Sequence, residues 1–251
     1  MAVNPEELHQ PHESPGPLRS AAVLTLQTKE AQKLILGRTS ETTEANQNIA
    51  SKSEYIMGLQ DFGRRMNRIW LAAQQDDPYA DWYLWKIEAA LHTAKVRVST
   101  QTEELSQLLD SMQAIKIKIS QSTDPINIEL NFANPYGYIA AYLVAEFDAL
   151  ACRVLTAWHI GLLDRAPGLA MLNTTSGFIR TSFGLSSHWH FTGVTRAAVH
   201  HNDSLAQQAK ARMGKLPQEI IDLQQRAKMA PEIKLFSLSP NPSQTESILV
   251  G

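Results

Sequence analysis

From Tyr136 onward the apolar residues recur with a period near 3.6: Ile139, Leu143, Phe147, Leu150, Val154 and Trp158 make one stripe, and Tyr142, Leu155 and Leu162 make another. A helix that is apolar on both sides must be covered on both, so this stretch predicts a chain built around a central helix. Over residues 136–163 that helix would be roughly 40 Å long at about 1.5 Å per residue. Glu146, Asp148 and Arg153 interrupt the longest apolar segment, residues 138–163, which assigns it to a protein core or an oligomer interface and not to lipid. No stretch reaches the roughly 18 uncharged apolar residues that a membrane span needs, and no membrane partner is expected.

Just before this helix, INIELNF alternates strictly: Ile126, Ile128, Leu130 and Phe132 point one way, and Asn127, Glu129 and Asn131 the other. AIKIKIS alternates too, with Ile115, Ile117 and Ile119 opposed to Lys116, Lys118 and Ser120, and the turn residues SQSTDP between the two make a hairpin possible. A lone strand needs a backbone partner and a cover for its apolar face. Two copies of residues 126–132 from two subunits can supply that partner by pairing antiparallel about a twofold axis, leaving the polar face outward. Such a two-stranded ribbon fits a DNA major groove. Asparagine can pair with adenine and glutamate can accept from cytosine, so Asn127, Glu129 and Asn131 are the candidate base readers. The plainer reading of the same stretch, an ordinary strand with a solvated face, stands beside it.

The remaining chain is punctuated as a mostly helical body. Its 251 residues suit one domain or two. Residues 1–18, with four prolines, read as a disordered arm. AAVLTLQ is strand-like, and KEAQKLIL is a short helix closed by Gly37. A polar connector leads to a helix over Ile56–Gln75, and another opens at Pro78 behind acidic residues. Trp70, Tyr79, Trp82, Tyr83 and Trp85 are spaced for packing between helices more than for stacking bases. Asn202 or Asp203 can cap a helix over 204–213 ended by Gly214, Pro217 can open the last helix and Pro231 stop it, and residues 232–251 read as a flexible tail. The expectation is a mainly α fold with a small β component, in which residues 19–231 form a single DNA-binding and dimerisation domain.

Charge is unevenly spread. Residues 1–150 hold 13 Lys/Arg against 19 Asp/Glu, while residues 151–230 hold 9 against 4 and carry five of the eight histidines, a weak sign of an anionic partner for the second half. MAVNPEELHQPHESPGP lacks the basic start and apolar run of a secretion signal. With the single cysteine, Cys152, inside an apolar helical run and read as a buried hydrophobe, the cytoplasm is the expected location. GxxxxGK[ST], GxGxxG, HExxH and GxSxG are all absent, so no common motif-borne enzyme class is indicated and a non-enzyme is expected. His188, His190, His200 and His201 form the constellation nearest to a zinc site, but their spacing matches no standard one; neither a metal nor a cofactor is expected.

NPYGYIAAYLVAEFDAL, HIGLLDR, HFTGVTRA, ARMGKLPQEII and KMAPEI together resemble the AcaB-like transcriptional regulators of integrative conjugative elements and conjugative plasmids. The resemblance covers roughly residues 20–235 and is most distinctive from Asn134 to Arg165. It implies a bacterial, nucleoid- or plasmid-associated homodimer that binds double-stranded DNA through a ribbon-helix-helix arrangement and activates conjugative-transfer genes, with RNA polymerase a further candidate partner. Arg180, Arg196, Lys210 and Arg212 are then candidates for phosphate contact, and Lys116 and Lys118 join them. A ribbon-helix-helix unit has two short helices joined by a tight turn, whereas here no breaker is met before Ala166, Pro167 and Gly168. Either the first helix is elongated and the second begins near Thr174 or Thr175, or the ribbon is the strand carrying Lys116 and Lys118. The competing function is a helical assembly protein of a conjugative element that does not touch DNA.

Overall fold

The computed structural model describes residues 22–38, 55–112 and 115–234. In chain order these form strand β1 (Ala22–Leu26), helices α1 (Lys29–Leu36), α2 (Leu59–Gln74) and α3 (Pro78–Asp110), strand β2 (Ile126–Leu130), and helices α4 (Pro135–His159) and α5 (Arg165–Leu185). A 3-10 turn over Ser186–His188 and the short helices α6 (Arg196–His201), α7 (Ser204–Met213) and α8 (Gln218–Ile221) follow. The expected arm over 1–18, most of the connector before Ile56 and the tail beyond 234 lie outside the described residues.

The two longest helices, α3 and α4, start where a side-chain oxygen meets the free N–H groups of the first turn. Asp77 accepts from the N–H groups of Tyr79 and Ala80, with Pro78 in the first turn of α3. Asn134 accepts from Gly137, with Pro135 opening α4. Gly37 ends α1 at φ +65, where its own hydrogen faces the backbone of Ile56 and Gly58 and no Cβ would fit.

Only one apolar stripe of α4 is covered, against the expectation for both: Leu143, Phe147, Leu150 and Val154 are buried, whereas Tyr142 of the second stripe is 69% exposed, Leu155 is half-buried and Trp158 at the end of the first stripe is exposed. Helices α2 and α3 pack on it, as do α1 and α5, and Tyr136, Ala140, Val144, Phe147, Leu150 and Val154 are buried. Asp148 is buried as well, and its carboxylate accepts from the N–H groups of Gln27 (2.7 Å) and Thr28 (2.9 Å) and from the Thr28 hydroxyl (2.6 Å). Charge-assisted bonds of this kind are the stronger ones, and here they fasten the β1–α1 joint to the central helix.

The expected run of helix over 136–163 is broken. α4 stops at His159, Gly161 turns the chain at φ +78, and α5 begins at Arg165. Pro167 does not act as a breaker, because it sits in the first turn of α5, where an N–H has no helical acceptor to lose. The second helix therefore opens at Arg165 and not near Thr174 or Thr175.

The hairpin between residues 115–120 and 126–132 does not form. β2 pairs antiparallel with β1, Ala22 opposite Leu130, Val23 opposite Glu129, Leu24 opposite Ile128, Thr25 opposite Asn127 and Leu26 opposite Ile126. The partner that β2 requires thus comes from its own chain, which removes the need for a second subunit on this edge. Residues 115–120 are not a strand; Ile117 and Ile119 pack against the core, and the Ser120 N–H donates to the Thr156 hydroxyl.

Two smaller expectations also change. α2 begins at Leu59, because Ile56 pairs its backbone with Arg38 instead. The last helix ends at Ile221, well before Pro231, whose carbonyl accepts from Arg226. Tyr79 is buried while Trp70, Trp82, Tyr83 and Trp85 lie half-buried against the core, the packing role their spacing suggested.

Candidate nucleic-acid interface

Alternation along both strands gives the ribbon two chemically distinct faces. Inward, Leu24, Leu26 and Leu130 are buried and Ile128 is half-buried; outward, Val23, Thr25, Asn127 and Glu129 are exposed. Directly opposed residues share a face in an antiparallel pair, so Thr25 and Asn127 stand together, as do Val23 and Glu129. The Thr25 hydroxyl donates to Asn127 Oδ1 at 2.7 Å. With its oxygen held, Asn127 turns Nδ2 and its two N–H donors to solvent. Asn131, just beyond β2, is exposed. Val23 and Thr25 belong to this face only because of a pairing that joins residues about a hundred positions apart, which no local pattern signals.

The ribbon's far end is seated on α2. Asn134 Nδ2 donates to the Gly63 carbonyl at 3.1 Å, and the Phe132 ring lies where a side chain on Gly63 or Gly137 would begin, 2.3 Å from the Cβ position of each. Two residues without side chains therefore make the slot that holds Phe132. Arg64, 77% exposed and paired with Asp61, follows Gly63 directly.

Five of the six expected phosphate contacts separate into two groups. Lys116, Lys118, Lys210 and Arg212 are exposed, the last two on α7. Arg180 is half-buried on α5, where it donates to the Ser176 hydroxyl; burial, together with repulsion from nearby Arg38, pushes its pKa down. Among the described residues neither guanidinium pairs with a carboxylate, which suits an anion, and Arg38 was not anticipated because it lies far from Arg180 in sequence.

Arg196 belongs to neither group and is a correction. It is 5% exposed, donates to Asp76 at 2.6 Å, pairs with the fully buried Asp81, and reaches the Ile220 carbonyl. Arg226 pairs with the same Asp81 at 2.9 Å. Part of the basic excess after residue 150 is thus neutralised internally by acids from the first half, and Arg196 is unavailable to DNA. The buried network ties α6 and the segment after α8 to α3.

His188 ends the 3-10 turn, His190 follows it, and His200 and His201 end α6; among the described residues no three His, Cys, Asp or Glu side chains gather as a metal site. Burial, and then the nearby Asp148 carboxylate, pushes the Cys152 thiol up to about 11, so it stays protonated and unreactive at neutral pH. Among the described residues no helix is long and apolar enough to cross a membrane.

A family model described as transcriptional regulator AcaB matches residues 14–234. A solved structure, selenomethionine-containing AcaB from uropathogenic E. coli, superposes with a TM-score of 0.52 at 15% sequence identity, covering 83% of this chain and 98% of that one. At that identity the likeness establishes a common fold. No curated protein matches.

Proposed function

The chain belongs to the AcaB family of transcriptional regulators, and on that premise we propose that it is a sequence-specific DNA-binding activator of conjugative-transfer genes, acting as a homodimer. The observation that carries the reading is the exposed face of the β1–β2 ribbon, where donors and acceptors stand next to one another on a support fixed to the core. In this reading the ribbon enters a major groove, about 12 Å wide. The free Asn127 amide donates to base acceptors, Glu129 accepts from cytosine, Val23 meets a thymine methyl group, and Asn131 reads the next step. Lys116, Lys118, Lys210 and Arg212 hold phosphates, joined by Arg38, Arg64 and Arg180.

A strand followed by two helices, β2, α4 and α5, keeps the order of a ribbon-helix-helix unit, although the helices run to 25 and 21 residues and β2 already has a partner in its own chain. The sheet order leaves the second edge of β2 unpaired among the described residues.

The competing reading, an assembly protein of a conjugative element without DNA contact, is separated from this one by titrating the protein against duplex DNA over a salt series. Phosphate neutralisation makes affinity fall steeply as salt rises. Absence of binding to any duplex at low salt favours the assembly protein.

A further inference from the structure

We infer that a pocket between α2 and the segment after the 3-10 turn binds a planar, phosphorylated ligand of mononucleotide size. It encloses about 500 Å³, within the range of roughly 300–1,000 Å³ common for small-molecule sites. Arg65, Arg68 and Gln75 form one wall and Trp189, His190 and Phe191 the other.

Charge selects the ligand first. Arg65 and Arg68 lie three residues apart on one helix, where like charges disfavour each other, and neither is within salt-bridge distance of a carboxylate among the described residues. No carboxylate lines the pocket, and the polar side chains that do are all able to donate. One of them is Trp189, 6% exposed, whose Nε1–H is buried with no acceptor. A group closed to water is closed to a ligand as well, so the donors left for one are those of Arg65, Arg68, Gln75 and His190. A doubly charged phosphate group matches two guanidiniums better than a singly charged acid does.

Shape selects the rest. Phe191 is 59% exposed and meets Trp189 edge-on, with ring centroids 6.2 Å apart at 60°. A large apolar ring held open to solvent at the mouth of a cationic pocket offers a stacking surface for a planar ring. Inorganic phosphate would leave that surface idle. The inference does not rest on the ribbon as reading head; it adds an effector site to a regulator.

The test is calorimetric titration of the full chain with AMP, GMP, adenosine and inorganic phosphate. Binding of AMP or GMP with a Kd below about 1 mM is expected, with adenosine and phosphate weaker by about tenfold or more. Arg68→Ala and Phe191→Ala should each weaken the nucleotide by about tenfold while melting as the parent does and retaining its DNA affinity. No binding of either nucleotide at about 1 mM, or unchanged binding in both variants, overturns the proposal. So does a loss of DNA affinity in Arg68→Ala without nucleotide binding by the parent, which would make the two arginines part of a DNA-backbone contact. Failure of the ribbon reading would instead appear in Asn127 variants and leave these titrations unaffected.

Discussion

Thr25 and Asn127, 102 residues apart in the chain, are joined by a 2.7 Å hydrogen bond on the exposed face of the ribbon. The bond orients a side chain that is otherwise free in solvent, which lowers the entropy lost when it meets a base. Asn127→Ala and Asn131→Ala should melt as the parent does and lose about 1 to 3 kcal/mol each in specific binding. Thr25→Val should lose less, because Asn127 keeps its amide and forfeits only its orientation. A specific affinity unchanged in both asparagine variants would exclude this face as the reading head.

Arg196 and Lys210 should separate cleanly. Arg196→Ala leaves Asp81, fully buried, with half its partners, and breaking a buried pair in this way costs about 3 to 5 kcal/mol. Denaturant unfolding should show that loss, with the salt slope of DNA binding unchanged in whatever remains folded. Lys210→Ala and Arg212→Ala should show the reverse: parental stability, and a slope reduced by roughly one unit per phosphate contact. A normally stable Arg196→Ala protein with a reduced slope would place Arg196 on the DNA after all.

The Gly63 slot gives a packing test. A methyl group there would meet the Phe132 ring 2.3 Å away, and overpacking of this kind costs about 1 to 3 kcal/mol. Gly63→Ala should lower the melting temperature, and combining it with Phe132→Leu should cost less than the sum of the two single changes. Strict additivity would show that the ring is free to move aside.

Asp77 makes stability depend on pH. Burial pushes its carboxyl up from 3.8 to about 6, against the pull of the Ala80 and Tyr79 N–H groups. The folded chain therefore holds this proton more tightly than the unfolded chain does. The contribution is complete below about pH 4 and disappears as pH rises through about 6. Asp77→Asn retains an oxygen to cap α3 and never acquires the charge, so its stability should exceed that of the parent increasingly across this interval. Urea midpoints measured from pH 4 to pH 7 decide it; parallel curves would mean that the Asp77 carboxylate ionises in the fold without penalty.

Features that depend on near neighbours were legible in the sequence: the opening of α3 at Pro78 behind acidic residues, the stop at Gly37 and the strand at Ile126 are each set within a few residues. Long-range choices were not. AIKIKIS alternates as cleanly as INIELNF, yet β1 pairs with the second, and Ile117 and Ile119 of the first pack against the core while Ile115 stays exposed. Pro167 marks a break by composition, but its position in the first turn of α5 makes it harmless. Arg196 and Lys210 look alike in the sequence; a carboxylate 115 positions away from Arg196, that of Asp81, gives the two opposite fates. For the same reason Val23, Thr25 and Arg38 could not be assigned to the candidate interface from local pattern.

The central claim is that the ribbon reads base sequence, and selection of binding sites from a pool of randomised duplexes tests it most directly. Repeated rounds with the parent chain should enrich a single motif, and the same rounds with Asn127→Ala should return that motif with its preference flattened at one position in each half-site. Enrichment of no motif by the parent, or of an identical motif with undiminished preference by the variant, would contradict it.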